Sequence, residues 1–208
     1  MQLTMNYKRI LFSSGMIAVL FYVLHVVLGG LLWKEYNHLI QPISDLTATG
    51  SPDRELMMML TLIYGILVFV FAVSFTIYES RNHSKTVFYG GLMLCALFLI
   101  SLSYGLFPED LPQQSSTVSG SMHIAITALI VPFTIMAPIF IGSGIRKEKN
   151  WKIVGIYSII SGILILISGS LCAVFFINKI PGFGLVERIN IGVLQSWVFI
   201  LSYKLTTK

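Results

Sequence analysis

An all-α, polytopic membrane protein is the fold class that this sequence predicts, and three observations predict it. The chain has 208 residues, its mean hydropathy is +0.82, and 11% of its residues are charged, whereas soluble domains carry about 25%. Six apolar runs are long enough to cross the membrane as helices, which takes about 20 residues each. Little sequence remains between these runs. We therefore expect one bundle of six transmembrane helices without a soluble catalytic module.

The six predicted spans form a single domain, residues 1-208. Their approximate limits are 10-33, 56-78, 86-107, 122-145, 153-177 and 185-203. The first run is longer than the apolar part of a cleaved signal peptide, about 7–15 residues, and no small-residue cleavage pattern follows it. We expect it to stay in the membrane as an anchor helix.

The distribution of charge predicts the orientation of the bundle. Ten basic and two acidic residues fall at the end that holds both termini, and four basic and seven acidic residues fall at the other end. By the positive-inside rule, both termini are cytoplasmic. The basic residues that give the pI of about 9.3 then mark the cytoplasmic side of the membrane and contact its anionic lipids. We therefore expect membrane lipids as partners, and we do not expect nucleic acid. We expect a plasma membrane of bacterial or archaeal type; a homo-oligomer or a membrane-protein partner is compatible with this composition.

No pattern of a metal or cofactor site is present, and we expect neither. Cys95 and Cys172 both fall in mid-span and indicate no disulfide framework. There is no HExxH, no paired histidines and no cysteine cluster, and no nucleophile elbow marks a serine. His25 lies deep in the first span, where we expect a neighbouring helix to satisfy it. A transporter is disfavoured because we find neither an internal repeat nor an acid or base at mid-span.

A polar segment, QPISDLTATGSPDREL over residues 41–56, separates the first two spans. The Ser-Pro-Asp sequence at 51–53 predicts a helix start, with the serine as N-cap and the proline at the first helical position. Asp45 is not needed for that cap. Its apolar neighbours favour burial, and an acid at the boundary of a membrane bundle usually has a partner. Two interpretations stay open: an Asx-turn at the surface, or a buried ion pair or ligand contact.

Four more polar residues belong to the same end of the bundle. Asp110 lies in the connection before the fourth span, and His123 falls near the first turn of that span. A lone histidine there is more often structural than a ligand or a base. Glu187 begins the sixth span, where the helix dipole stabilises an acid. Arg188 is the natural partner for one of these carboxylates, and an ion pair binding the loops to the sixth helix is the simplest interpretation.

Asp45, Asp110, His123, Glu187 and Arg188 are therefore the candidate site residues, on the outward face. Binding of a lipid headgroup or small polar ligand is the leading hypothesis. In it, Arg188 binds an anion and the other residues bind hydroxyls or amines. The second hypothesis is a lipid-acting hydrolase or remodelling enzyme that uses His123 with Asp45 or Asp110 in acid–base or metal chemistry. The third is a structural or regulatory subunit whose polar cluster only stabilises the bundle. The sequence does not decide between enzyme and binding protein.

The six-span layout and several motifs resemble a known family. The motif at 42–56, His123 opening the fourth span, and the Glu-Arg pair at 187–188 with Trp197 resemble the prokaryotic "domain of unknown function 998" family of integral membrane proteins. The Ile-Ser-Asp at 43–45, followed by a proline and an acid, is also similar to the family of the DRAM autophagy modulators and a GPI-anchor lipid-remodelling factor. These resemblances imply a six-helix membrane bundle and involvement with lipids, and neither supplies catalytic residues.

Overall fold

The computed structural model describes residues 2–112 and 115–208 and confirms the prediction of six membrane-length helices. The helices are α1 (Gln2–Leu32), α2 (Arg54–Ser74), α3 (Lys85–Ser101), α4 (Val118–Ile145), α5 (Lys152–Ile177) and α6 (Phe183–Thr206). A π-helical turn, Phe75–Glu79, extends α2, and a 3-10 turn, Leu102–Gly105, extends α3. Another 3-10 helix, Ile43–Thr47, lies between α1 and α2.

The six helices form a closed up-and-down bundle. Each helix packs against the next one in sequence, and α6 returns to pack against α1. The connections after α1, α3 and α5 therefore lie at one end, which we call the loop end. The connections after α2 and α4 and both termini lie at the opposite end, which we call the basic end. This arrangement brings the connection after α1 next to the start of α6.

The outer surface of the bundle is apolar, as a protein surrounded by hydrocarbon requires. Every helix exposes large aliphatic side chains there, including Leu20, Ile66, Leu99, Leu129, Ile167 and Ile200. Continuous exposure of this kind is not tolerated by monomeric soluble proteins. The chain is therefore a multi-pass membrane protein.

Hydrogen bonds between helices set the rotation of α6. Ser202 Oγ donates to the carbonyl oxygen of Phe12 on α1 at 2.5 Å. Trp197, which is fully buried, donates from Nε1 to Ser158 Oγ on α5 at 2.9 Å. Such bonds contribute about 0.6–2 kcal/mol each in membranes. They fix the direction in which the polar residues near the start of α6 point.

The start of α2 differs from the sequence prediction. Arg54 is the first helical residue, and Asp53 takes a left-handed φ of 51° without a side-chain cap bond. The hydroxyl of Ser51 donates to the carbonyl oxygen of Ala48 at 2.9 Å, so it closes the preceding turn instead of capping the helix. The prediction of a Ser N-cap was wrong because the packing of the 3-10 helix Ile43–Thr47 against the bundle overrides the local capping signal.

Candidate functional site

The connection after α1 folds back onto the loop end and carries Asp45 into the bundle. Ile43 and Leu46, on the same 3-10 helix, are buried, and Leu46 packs in an apolar cluster with Met57 and Leu60 of α2. Burial of these two side chains drives the segment inward, because each removes a large apolar surface from water. The carboxylate goes with them and is 1% exposed. The surface-turn interpretation of Asp45 is therefore wrong.

Asp45 is buried with little to stabilise its charge. Gln41 Nε2 donates to Asp45 Oδ2 at 3.2 Å, and none of the ion pairs formed by the described residues includes Asp45. Burial raises the pKa of Asp45 to about 6; the Gln41 bond and Arg188 oppose this rise, and Glu109 adds to it. The group therefore titrates just below neutral pH.

Arg188 binds main-chain carbonyl groups instead of a carboxylate. Its Nη1 donates to the carbonyl oxygens of Gln41 at 2.8 Å and Gly184 at 2.9 Å. Its Nη2 donates to the hydroxyl of Tyr36, which in turn donates to the carbonyl oxygen of Pro42 at 2.6 Å. Arg188 takes part in no ion pair between described residues. The expected ion pair is absent because the start of α6 packs directly against main-chain carbonyls of the connection after α1.

Glu187 completes the attachment of this connection to α6. Its carboxylate accepts a hydrogen bond from the backbone N–H of Ile43 at 2.6 Å. It also lies within electrostatic range of Asp45 and Glu109. Glu187 and Arg188 thus hold the segment that carries Asp45 from two consecutive positions of one helix.

Glu109, which sequence reasoning did not select, supplies a third carboxylate. The backbone N–H of Thr49 donates to the carbonyl oxygen of Glu109 at 3.1 Å, which joins the connections after α1 and α3. Burial raises the pKa of Glu109, a hydrogen bond from the Ser44 hydroxyl opposes the rise, and Asp110 adds to it. Its Oε2 is buried and has no hydrogen-bond partner among the described residues. No local signal distinguishes Glu109 from Asp110, because its role depends on the contact between two separate connections.

His123 faces Glu109 in a defined orientation. Its Nδ1 lies 3.0 Å from the carbonyl oxygen of Phe107 and its Nε2 lies 3.9 Å from Glu109 Oε2. A carbonyl can only accept, so Nδ1 carries a proton and Nε2 is directed at the carboxylate. The ring of Tyr104 packs on the imidazole with a centroid distance of 4.6 Å.

Asp110 uses its carboxylate at the start of α4. It accepts hydrogen bonds from the backbone N–H and the hydroxyl of Thr117, both at 2.7 Å. Thr117 is the N-cap, and its hydroxyl oxygen accepts from the N–H of Gly120 at 3.1 Å. Asp110 therefore supports a helix cap, while Asp45, Glu109 and Glu187 form what we call the acidic cluster. Within residues 2–112 and 115–208, no group of three His, Cys, Asp or Glu side chains is placed to hold a metal ion.

Replacement of Asp110 by Ala is expected to lower the free energy of unfolding by about 1 kcal/mol, the typical contribution of a helix cap. Thermal unfolding in detergent measures this change. Glu35→Ala is the matched control, since Glu35 is an exposed acid outside the helices at the same end. A loss several times larger would show that Asp110 supports the acidic cluster as well as α4.

The fold and these contacts define an integral membrane protein of six helices that carries a partly buried polar cluster at its loop end. The chain belongs to the family described as "Protein of unknown function (DUF998)", which matches residues 16–204. This range includes all five predicted site residues and Glu109. Comparison with curated proteins and with solved structures gives no match. The first of the two resemblances is thus confirmed, and the resemblance to the DRAM family is not.

Proposed function

We propose that this protein binds the protonated amine of a lipid headgroup or of a small polar ligand at the acidic cluster, and that the loop end faces the outside of the cell. The observation that carries the proposal is a pair of carboxylates with unused acceptor capacity. Asp45 is 1% exposed with one hydrogen bond, from Gln41, and Glu109 Oε2 is buried without a hydrogen-bond partner among the described residues, 3.9 Å from His123 Nε2. The excess of acidic over basic residues at this end, seven against four, supports the outward orientation.

An ammonium group would complete what the cluster lacks. A buried carboxylate without a cation is unfavourable, and the raised pKa values of Asp45 and Glu109 express this. A bound ammonium would stabilise the ionised forms and would make charge-assisted hydrogen bonds, about twice as strong as neutral ones.

Arg188 has a positioning role in this proposal. Three of its five N–H groups donate to Gln41, Gly184 and Tyr36. Most of the guanidinium is thus committed to the connection after α1; its Nε is buried without a hydrogen-bond partner among the described residues. The unpaired carboxylate oxygens favour a cationic ligand, and Arg188 holds the segment that carries Asp45.

Replacement of Asp45 by Asn is expected to raise the free energy of unfolding at pH 7 by about 1–2 kcal/mol. The pKa of Asp45 in the folded protein, about 6, exceeds the ordinary value of 3.8, so the folded state binds the proton more tightly than the unfolded state. The stability linked to this proton is present below pH 3.8 and is lost as the pH rises through 6. Asn still accepts a hydrogen bond from Gln41 and carries no charge. Thermal unfolding curves of the two proteins should nearly coincide near pH 4, diverge as the pH rises towards 6, and stay apart above it; a less stable variant at pH 7 would mean that the ionised carboxylate supports the fold.

Lipid retention tests the binding itself. Wild type, Asp45→Asn, Glu109→Gln and the matched control Asp110→Asn are exchanged into micelles with equal phosphatidylethanolamine and phosphatidylglycerol, and bound lipid is counted by native mass spectrometry. Wild type and the control should retain phosphatidylethanolamine preferentially. The two cluster variants should lose this preference about tenfold, equivalent to 1.4 kcal/mol.

A second arm distinguishes a small ligand from a lipid. Free ethanolamine is added to lipid-free protein, and the melting temperature is recorded. A rise in wild type and Asp110→Asn but not in Asp45→Asn, without any lipid preference, would identify a small amine as the ligand. Equal lipid retention by all four proteins together with no thermal shift would overturn the proposal.

A lipid-acting hydrolase is the second candidate, and the orientation of His123 favours it. The carbonyl of Phe107 holds Nδ1, and Nε2 points at Glu109, so the pair could transfer a proton to or from a bound lipid ester. Purified protein is incubated with the same phospholipids, and released fatty acid is measured. Product from wild type, lost in His123→Asn while lipid retention persists, would establish an enzyme; absence of product from wild type would exclude this candidate for these lipids.

A further inference from the structure

A second group of polar side chains lies deeper in the bundle, between α1, α2 and α6. His25 of α1 is 2% exposed, and neither ring nitrogen has a hydrogen-bond partner among the described residues. Gln195 of α6 is 6% exposed, and its Oε1 likewise has no partner there. At a rise of 1.5 Å per residue, His25 lies about 10 Å and Gln195 about 18 Å from the loop end of its helix. The expectation that a neighbouring helix satisfies His25 was wrong.

Two tyrosines connect these groups into one line. The ring of Tyr22 lies 6.0 Å from that of His25 and 5.0 Å from that of Tyr64, measured between centroids. Gln195 Nε2 donates to the hydroxyl of Tyr64 at 2.8 Å. The four side chains, which we call the inner polar line, therefore join three helices in the membrane interior.

Unpaired polar atoms are costly at this depth. Each buried donor or acceptor without a partner costs about 1–3 kcal/mol, and water is not freely available in the hydrocarbon region. Another amide on α6 shows that packing can satisfy such groups: Asn190 Nδ2 donates to the carbonyl oxygen of Ile165 and to Ser168 Oγ, both at 2.9 Å. The other unpaired atoms of the described residues, on Arg54, Glu109 and Arg188, lie at the loop end, so in the membrane interior the unpaired atoms of His25 and Gln195 point to a guest.

The unpaired atoms specify the chemistry of the guest. Neutral imidazole offers one donor and one acceptor, and an amide oxygen only accepts. A carbonyl cannot donate to Gln195, and an ammonium cannot accept from His25. A hydroxyl both donates and accepts. We propose that one hydroxyl group lies between His25 and Gln195, beside the Tyr22 and Tyr64 rings that connect them, and that it is supplied by water or by a neutral lipid with a free hydroxyl such as diacylglycerol.

This site differs from the acidic cluster in position and in ligand. Its guest is neutral, and its residues lie on the transmembrane parts of α1, α2 and α6, whereas the acidic cluster takes two of its three carboxylates from the connections after α1 and α3. The two proposals therefore fail independently. Asp45→Asn alters the acidic cluster and should leave binding at the inner polar line unchanged. It therefore serves as the control that the two sites are separate.

Nitrogen NMR of labelled histidine tests the inference directly. Protein with 15N-labelled histidine is placed in nanodiscs of dioleoylphosphatidylcholine, a lipid without a hydroxyl group, and His25→Phe identifies the His25 signals among those of the four histidines. A cross-peak between the His25 ring N–H and water would identify water as the guest. A cross-peak to lipid that appears only after diolein is added would identify a lipid hydroxyl.

Two further variants show whether His25 and Gln195 share the guest. Gln195→Met removes the unpaired oxygen at similar volume and should weaken the cross-peak and shift the His25 nitrogen signals. Asn190→Leu, which removes an amide that has partners, should leave both unchanged. Absence of any cross-peak in both lipid compositions would overturn the proposal, and so would His25 signals that are insensitive to Gln195→Met.

Discussion

Replacement of Arg188 by Ala is expected to lower the free energy of unfolding by about 3–5 kcal/mol, because three acceptors each lose a hydrogen bond and an unpaired buried acceptor costs about 1–3 kcal/mol. The side chain donates to the carbonyl oxygens of Gln41 and Gly184 and to the hydroxyl of Tyr36. Its guanidinium also lies over the Tyr36 ring, 5.5 Å from the centroid. Removal leaves several acceptors unpaired and frees the connection after α1 from α6. Equilibrium unfolding in detergent, followed by tryptophan fluorescence, measures the loss.

Two variants make this result specific. Arg188→Lys keeps the charge but cannot reproduce the planar fork of donors, so its loss should be intermediate. Lys34→Ala removes an exposed basic residue at the same end and should change stability by less than about 0.5 kcal/mol. An Arg188→Ala variant as stable as wild type would contradict the positioning role and would favour Arg188 as the anion-binding group. At pH 7, Arg188→Ala and Asp45→Asn should shift stability in opposite directions. This difference distinguishes Arg188, which attaches the connection after α1 to α6, from Asp45, which binds the ligand.

Replacement of His83 by Phe is expected to lower the free energy of unfolding by about 2–3 kcal/mol at pH 6 and to abolish most of the pH dependence above that value. The imidazole joins two connections at the basic end: Nε2 lies 3.1 Å from Glu79 Oε1, and Nδ1 contacts Glu148. Lys208 binds the same Glu79 carboxylate, and the ring of Trp151 packs edge-on against His83. Phe keeps this ring packing and removes both polar contacts.

The sign of the pH effect follows from the pKa of His83. Burial lowers this pKa, but the hydrogen bonds to Glu79 and Glu148 outweigh burial and raise it above 6.5. Stability from protonated His83 is therefore complete below pH 6.5 and is lost as the pH rises through the higher folded-state pKa. Melting temperatures from pH 6 to pH 9 should fall for wild type and stay nearly level for His83→Phe.

A histidine at the other end of the bundle provides the control. Burial, with a smaller effect of Arg188, lowers the pKa of His38, so His38 affects stability only below its ordinary value. His38→Phe should keep the wild-type loss of stability above pH 6.5. Parallel profiles for wild type and His83→Phe would show that another group causes the pH dependence at the basic end.

Local patterns predicted the spans because hydrophobic length is a property of about 20 consecutive residues. The predicted starts of the second and sixth spans, residues 56 and 185, lie two residues from the observed Arg54 and Phe183. The burial of Asp45 was one of two open interpretations, since its apolar neighbours gave a local reason for it. The cap at Ser51 was predicted from the same kind of local signal and was wrong, because packing redirected the hydroxyl to a preceding carbonyl.

The partners of the polar residues could not be predicted in this way. Glu109 and His83 were not selected, because each meets its neighbours through a connection elsewhere in the chain. Arg188 was expected to pair with a carboxylate, which charge alone favours. One of its three acceptors, the carbonyl oxygen of Gln41, is 147 positions away and carries no sequence signal, since every residue has a carbonyl group.

The sequence by itself determined that this protein is a six-helix membrane bundle, that its acidic residues collect at one end, and which family it belongs to. These properties are sums over many residues, so small errors at single positions do not change them. Only the tertiary structure decided which carboxylates lack partners and which residues hold the connection after α1. Those outcomes depend on distances of about 3 Å between groups on different elements, and closure of the ring by α6 against α1 sets those distances.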